Sequence, residues 1–156
     1  MVPLMVMVVG WLVFRTLGAT GRLKAAATTA GALRFALAIM FMFTAVSHFL
    51  PSTRGDMVRM VPPALPFPEL LVTLTGLLEM AGATGLLLPA TTSVAAYCLM
   101  ALLVAMFPAN VYAASAGIEI GGRVAMALIW RLPLQLVWIG ALWWVGRVHS
   151  RARGRL

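Results

Sequence analysis

The chain has 156 residues, 62% of them hydrophobic and only 10% charged, with a mean hydropathy of +0.98. A soluble domain draws roughly a quarter of its residues from Asp, Glu, Lys and Arg, so this composition excludes an ordinary soluble globule and points to an integral membrane protein. The net charge of +8 does not indicate nucleic-acid binding, because the basic residues cluster beside apolar runs: Arg15, Arg22 and Lys24, then Arg147, Arg151, Arg153 and Arg155. That is the placement of topology signals on the cytoplasmic side of a membrane.

Five apolar segments follow in chain order. The first, residues 1–14, would be ~21 Å long as a helix, short for a hydrocarbon layer of ~30 Å. No basic residue precedes it and several follow it, unlike a signal peptide. It is read as a short first span, extended to about Gly18 with Arg15 snorkelling. The second segment, residues 30–50, carries Arg34 near its start and His48 near its end. The connection 51–68 is the one long loop. Its STRGDMVRMV stretch places Met57, Met60 and Val61 on one side and Arg54 and Arg59 elsewhere, as in an amphipathic turn at the interface. The following PPALPFP predicts a stiff, extended strap.

The third segment, residues 69–88, is joined to the fourth, 94–114, by the tight turn PATTS, which makes them an antiparallel hairpin. The fifth runs over 127–146. The domain layout is thus an N-terminal hydrophobic segment and basic loop (1–29), a membrane domain (30–147) and a basic cytoplasmic tail (148–156). With the N-terminus outside, Arg15, Arg22, Lys24 and the four C-terminal arginines lie inside, against Arg54, Arg59 and Arg123 outside. The bias puts the C-terminus in the cytoplasm.

Four acidic residues are present in all, and one of them, Glu79, falls in the middle of the third span. An ionisable group at that depth is costly and faces a protein interior or a watery cavity. At 100° per residue Val72, Thr75, Gly76, Gly82, Ala83 and Leu86 share its face, while Leu74, Leu77, Ala81, Thr84 and Leu88 lie opposite. The small residues on the Glu79 face allow another helix to approach closely. In WRLPLQLVW, Arg131 and Gln135 share one face, with Trp138 a turn further, and Pro133 between them interrupts the ladder. Arg131 is expected to contact Glu79, with Gln135 as a further donor. Pro108 leaves the Val104 carbonyl without its helical donor, and Asn110 sits close by. Thr44 and His48 are four apart on one face of the second span.

These polar groups admit a purely structural reading, in which a Glu79–Arg131 pair fixes helix register. They also admit an outward-opening cavity for a small molecule, or a proton or ion path. A metal site needs at least three convergent ligands, and His48, Glu79 and Asn110 differ too much in depth, so none is expected. The single cysteine, Cys98, can form neither an internal disulfide nor a redox pair and is expected to be an inert buried thiol. No nucleotide-binding, P-loop or zinc-protease motif is present.

The strings MFMFTAVSHF, DMVRMVPPALPFPELLVTLTGLLEMAGATGLLLP, LLVAMFPANVYAA and RLPLQLVWI, in this order and spacing, resemble the DoxX-like family of small membrane proteins over residues 33–145. The resemblance implies a bundle of four core transmembrane helices. It also implies a recurring polar set at His48, Glu79, Asn110, Arg131 and Gln135. Some members are subunits of thiosulfate:quinone oxidoreductases, and others are associated with thiol or oxidative stress complexes. The first apolar segment lies outside that core, and the cysteine pair of the thiol-redox relatives is missing.

The expected fold is all-α, a polytopic transmembrane bundle with a four-helix core and a short added N-terminal span, in a bacterial-type cytoplasmic membrane. The expected function is that of an accessory or assembly subunit of a membrane redox or stress-response system, whose outward strap meets a membrane or periplasmic protein partner. The alternative is a quinone-linked oxidoreductase component that takes a lipophilic headgroup at the polar set; quinone is then the cofactor, and no other is evident. A proton-coupled carrier is the third reading, and so short a chain would need to oligomerise for it.

Overall fold

The computed structural model describes residues 2–120, 122–124 and 126–153; Met1 and Arg155, both part of the sequence-based topology, lie outside the described residues. The elements in order are α1 (Val2–Ala19), a 3-10 turn (Lys24–Ala26), α2 (Thr29–Ser47), α3 (Pro51–Met60), α4 (Pro68–Leu87), α5 (Thr92–Ala105), α6 (Phe107–Ser115) and α7 (Leu128–Arg153). Between α6 and α7 two short strands, β1 (Glu119–Ile120) and β2 (Arg123–Val124), pair antiparallel with Glu119 opposite Val124. Five helical stretches are long and apolar enough to cross a membrane: α1, α2, α4, the α5–α6 stretch Thr92–Ser115, and Leu128–Arg151 of α7. That is the pattern of a multi-pass membrane protein.

Local chemistry explains the boundaries. The Thr28 hydroxyl accepts from Gly31 N at 3.0 Å and caps α2, satisfying a donor that the first turn would leave orphaned. Pro51 and Pro68 open α3 and α4, where a missing N–H costs nothing. Pro108 does the same for α6 and cannot continue the ladder of α5, so the expected fourth helix is two helices that meet at Met106. The amphipathic stretch after α2 is a ten-residue helix, α3, with Met60 buried and Arg59 bonded to Asp56 at 2.6 Å. The strap 61–67 stays non-helical. It ends on Phe67 in the left-handed region, φ 54°, 73% exposed.

The first span runs from Val2 to Ala19, 18 residues in all, one residue beyond the extension to Gly18 expected from the sequence. Its Arg15 reaches past the helix end and donates to Ala27 O at 2.7 Å, as a snorkelling side chain does. Cys98 is not buried: α5 turns it outward on the bundle surface, where an apolar thiol suits a lipid environment as well as a core.

Helix α2 packs on α1 and α4, α4 on α5, α5 on α7, and α7 returns to α2. The core between them holds Leu37, Met40 and Phe41 of α2, Leu86 of α4, Leu99 of α5, and Leu142 and Val145 of α7. The buried residues of α4 are Val72, Gly76, Glu79, Gly82, Ala83 and Leu86, the face expected from helical periodicity apart from the half-buried Thr75. Leu74, Leu77, Ala81, Thr84 and Leu88 are exposed. Gly82 lies so close to α5 that a Cβ there would stand 2.5 Å from Leu99, which is how small residues let membrane helices approach.

The two ends of the bundle differ. Arg34 near the start of α2 reaches Thr92 at the start of α5 (3.4 Å) and His149 near the end of α7 (3.5 Å). These three helix ends therefore share one side. The end of α2, all of α3, the start of α4, α6 and the start of α7 lie at the other.

Candidate ligand-binding site

At the end that carries α3, the polar side chains of four helical stretches converge. Glu79 of α4 is 4% exposed, and its Oε2 lies 3.6 Å from Nε2 of His48, the residue that caps α2. The other ring nitrogen of His48, Nδ1, is 2.9 Å from the Val72 carbonyl. A carbonyl can only accept, so the ring proton sits on Nδ1 and donates to Val72 O, and Nε2 faces Glu79. This approach of α2 to α4 depends on Gly76, where a Cβ would stand 2.7 Å from the His48 Cβ.

Arg131, one turn into α7, donates from Nη2 to Oδ1 of Asn110 on α6. Gln135, one turn further, donates from Nε2 to the Leu103 carbonyl at 3.0 Å. That carbonyl lies beside the break between α5 and α6, where regular helical pairing ends. The expected Arg131–Glu79 contact is therefore not made: the carboxylate meets His48, the guanidinium meets Asn110, and Gln135 satisfies backbone rather than Glu79. The reason is reach in three dimensions. Helical rise puts Gln135 near the depth of Glu79 and Arg131 about two turns above it, and Asn110, just past the break at Met106, takes the guanidinium first. The carbonyl at the joint that takes a side-chain donor is Leu103, one residue before the Val104 carbonyl that Pro108 cannot serve.

All five expected residues line one cavity of about 500 Å³, within the ~300–1,000 Å³ range of small-molecule sites. Thr44, Thr75 and Trp138 join them, and Met40, Phe41, Met57, Met60 and Met106 supply apolar wall. Two buried atoms on this cavity have no hydrogen-bond partner among the described residues: Glu79 Oε2 and the indole Nε1 of Trp138. Arg54 braces the rim, donating to His48 O (3.1 Å), Glu69 O (3.3 Å) and the Thr73 hydroxyl (2.8 Å). Its role escapes sequence reading because its partners lie on α2 and α4, although its position on α3 was legible. Among the described residues no three His, Cys, Asp or Glu side chains are grouped as a metal ion requires.

A second polar cluster, around Arg34 at the opposite end, was not anticipated as a cluster. Arg34 is 4% exposed and stacks 4.7 Å from the Phe35 ring. His149 is oriented by its Nδ1–H donating to Val145 O at 2.9 Å, which leaves Nε2 to accept from Arg34. The signal missed was His149 itself, read only as part of a basic tail.

A multi-pass bundle of apolar helices around a largely apolar cavity with a cluster of polar side chains on its wall is the class of protein that this fold and site define. Within that class the chain belongs to the family described as a domain of unknown function (DUF8561), which matches residues 37–146. No curated protein and no solved structure matches it. The matched region contains the five polar residues and leaves α1 outside.

Proposed function

We propose that the protein is a DoxX-like bundle whose core is α2, α4, α5–α6 and α7, with α1 as an added span. We further propose that it binds a small lipophilic molecule with a polar head in the cavity. One observation carries this reading: His48, Glu79, Asn110, Arg131 and Gln135 converge on a single space of about 500 Å³. A register device needs no such volume. An apolar wall rich in flexible methionine suits a hydrophobic ring or tail, and the polar wall would fix its head. A quinone is one such molecule, and on this reading the protein would be a component of a membrane redox system in the cytoplasmic membrane, with the cavity opening outward. The arginines at the end of α1 and on α7 support a cytoplasmic C-terminus.

The test is to purify the protein from its native membrane and extract it with organic solvent. A bound lipophile recovered in near-stoichiometric amount from the natural sequence, and lost by Arg131→Met at equal folded yield, is the expected outcome. Recovery of no lipophile from either protein counts against the cavity as a binding site.

A second reading, an accessory or assembly subunit, draws on the outer surface. A shallow groove of about 550 Å³ runs between Val58, Pro62, Leu65, Tyr112 and Ile118. Beside it Phe67 stands 73% exposed in a left-handed conformation. A protein partner docked there would be captured from native membranes by the natural chain and lost with Phe67→Asp.

A further inference from the structure

The hydrogen-bonding capacity left unused on the cavity wall specifies the polar head that fits it. This deepens the binding role proposed above and rests on it. Glu79 Oε2 is buried with no donor, in a side chain only 4% exposed. Opposite it at 3.6 Å stands Nε2 of His48. Because Nδ1 of that ring is committed as the donor to Val72 O at 2.9 Å, Nε2 of the neutral ring presents a lone pair. With the ring neutral and Glu79 ionised, two acceptors face each other at 3.6 Å with no donor between them. Their separation is too long for a direct hydrogen bond and open to a donor hydrogen presented from the cavity.

The remaining unpaired group has the opposite character. The indole Nε1–H of Trp138 has no acceptor among the described residues, and an indole can only donate. It lies one turn beyond Gln135 and lines the same cavity. The charges on the wall also balance. Arg131 is the cation, and Glu79 is the one acidic side chain lining the space. Two opposite charges in one low-dielectric cavity stabilise each other at a distance. A net anion entering would meet the Glu79 carboxylate, and a net cation would meet Arg131.

We propose that the cavity recognises an uncharged lipophilic alcohol or phenol, whose hydroxyl hydrogen is taken by Glu79 Oε2 and His48 Nε2 while Trp138 Nε1–H donates to an oxygen of the same ligand. The hydroxyl supplies the one donor that the acceptor pair lacks. The ligand oxygen supplies the one acceptor that the indole lacks. Leaving either unmade is costly in a buried site, and a hydrogen bond to a charged group is among the stronger neutral-ligand contacts. Selectivity follows from the donor: an ether of the same size fills the volume equally well and leaves the acceptor pair empty.

The test uses three probes of equal tail length, 4-octylphenol, 4-octylanisole and 4-octylbenzoate, with the full chain in lipid nanodiscs. Each is titrated at neutral pH while the unfolding midpoint and equilibrium dialysis are followed. The phenol should bind roughly tenfold or more tightly than the anisole, as loss of one hydrogen bond to a charged acceptor predicts, and the benzoate should bind most weakly. Glu79→Leu should bring the phenol down to the anisole, and Trp138→Phe should weaken phenol and anisole alike. If Glu79→Leu fails to fold, His48→Phe and the natural chain with the three probes still decide. Equal binding of phenol and anisole overturns this inference and leaves the cavity as a binding site. Tightest binding of the benzoate overturns it in favour of an anion site. Binding of none of the three overturns the inference together with the binding role itself.

Discussion

Gly76 shows how much of the site hangs on one missing methyl. The His48 ring can approach Glu79 only because α4 presents no side chain there, a Cβ being 2.7 Å from His48 Cβ and 2.8 Å from Phe49 Cε2. The phenyl end of Phe49 can move, but His48 is held by its bond to Val72 O. Gly76→Ala should therefore cost ~1–3 kcal/mol as overpacking, seen as a lower unfolding midpoint in detergent. Gly140 of α7 has open space around it. Gly140→Ala should be neutral or stabilising by up to ~1 kcal/mol through helix propensity. Equal losses at both positions would show that the close approach at Gly76 contributes nothing. At this scale much was legible: periodicity alone placed Glu79, Gly76 and Gly82 inward. The partner of Glu79 was not, because helical rise gives depth along an axis and says nothing about rotation between helices.

The break between α5 and α6 is the element that organises the donor side of the cavity. Pro108 stops the α5 ladder, Met106 becomes the joint, and Asn110 on α6 is turned to meet Arg131. Gln135 then closes the joint from α7 by donating to Leu103 O. A backbone carbonyl without a partner is expensive where water is absent. Gln135→Met, which keeps the shape and removes the donor, should lower stability by about 1 kcal/mol, the scale of interhelical hydrogen bonds in membranes. The same change should leave the His48–Glu79 side of the cavity intact, read as unchanged binding of a phenolic probe's hydroxyl relative to its ether. The sequence marks Pro108 as a disruption. Which carbonyl at the joint takes a side-chain donor, and which helix supplies it, depends on how α7 packs against α5.

For the whole molecule, the packing links topology and charge. Arg34, Thr92 and His149 tie the starts of α2 and α5 to the end of α7, and the basic residues Arg15, Arg22, Lys24, Arg147 and Arg151 belong to those same ends. Clustered positive charge on one side of an apolar bundle predicts that this side faces the cytoplasm. A reporter active only in the periplasm, fused after Leu156, should be silent, and the same reporter inserted in the strap 62–66 should be active. The reverse pattern would invert the topology and place the cavity on the cytoplasmic side.

Composition and periodicity by themselves determined that this is a helical chain of span-length apolar segments, which face of α4 is buried, and that Glu79 lies on that face. Those properties follow from the ~30 Å length of the hydrocarbon layer and the 3.6-residue helical repeat, both local along the chain. Only the tertiary structure decided that Glu79 meets His48, that Arg131 meets Asn110, that Cys98 faces outward, and that the five polar residues line one cavity. Pairing across helices depends on rotation and on where a helix breaks, and a residue at the right depth still takes whichever partner the packing brings within reach first.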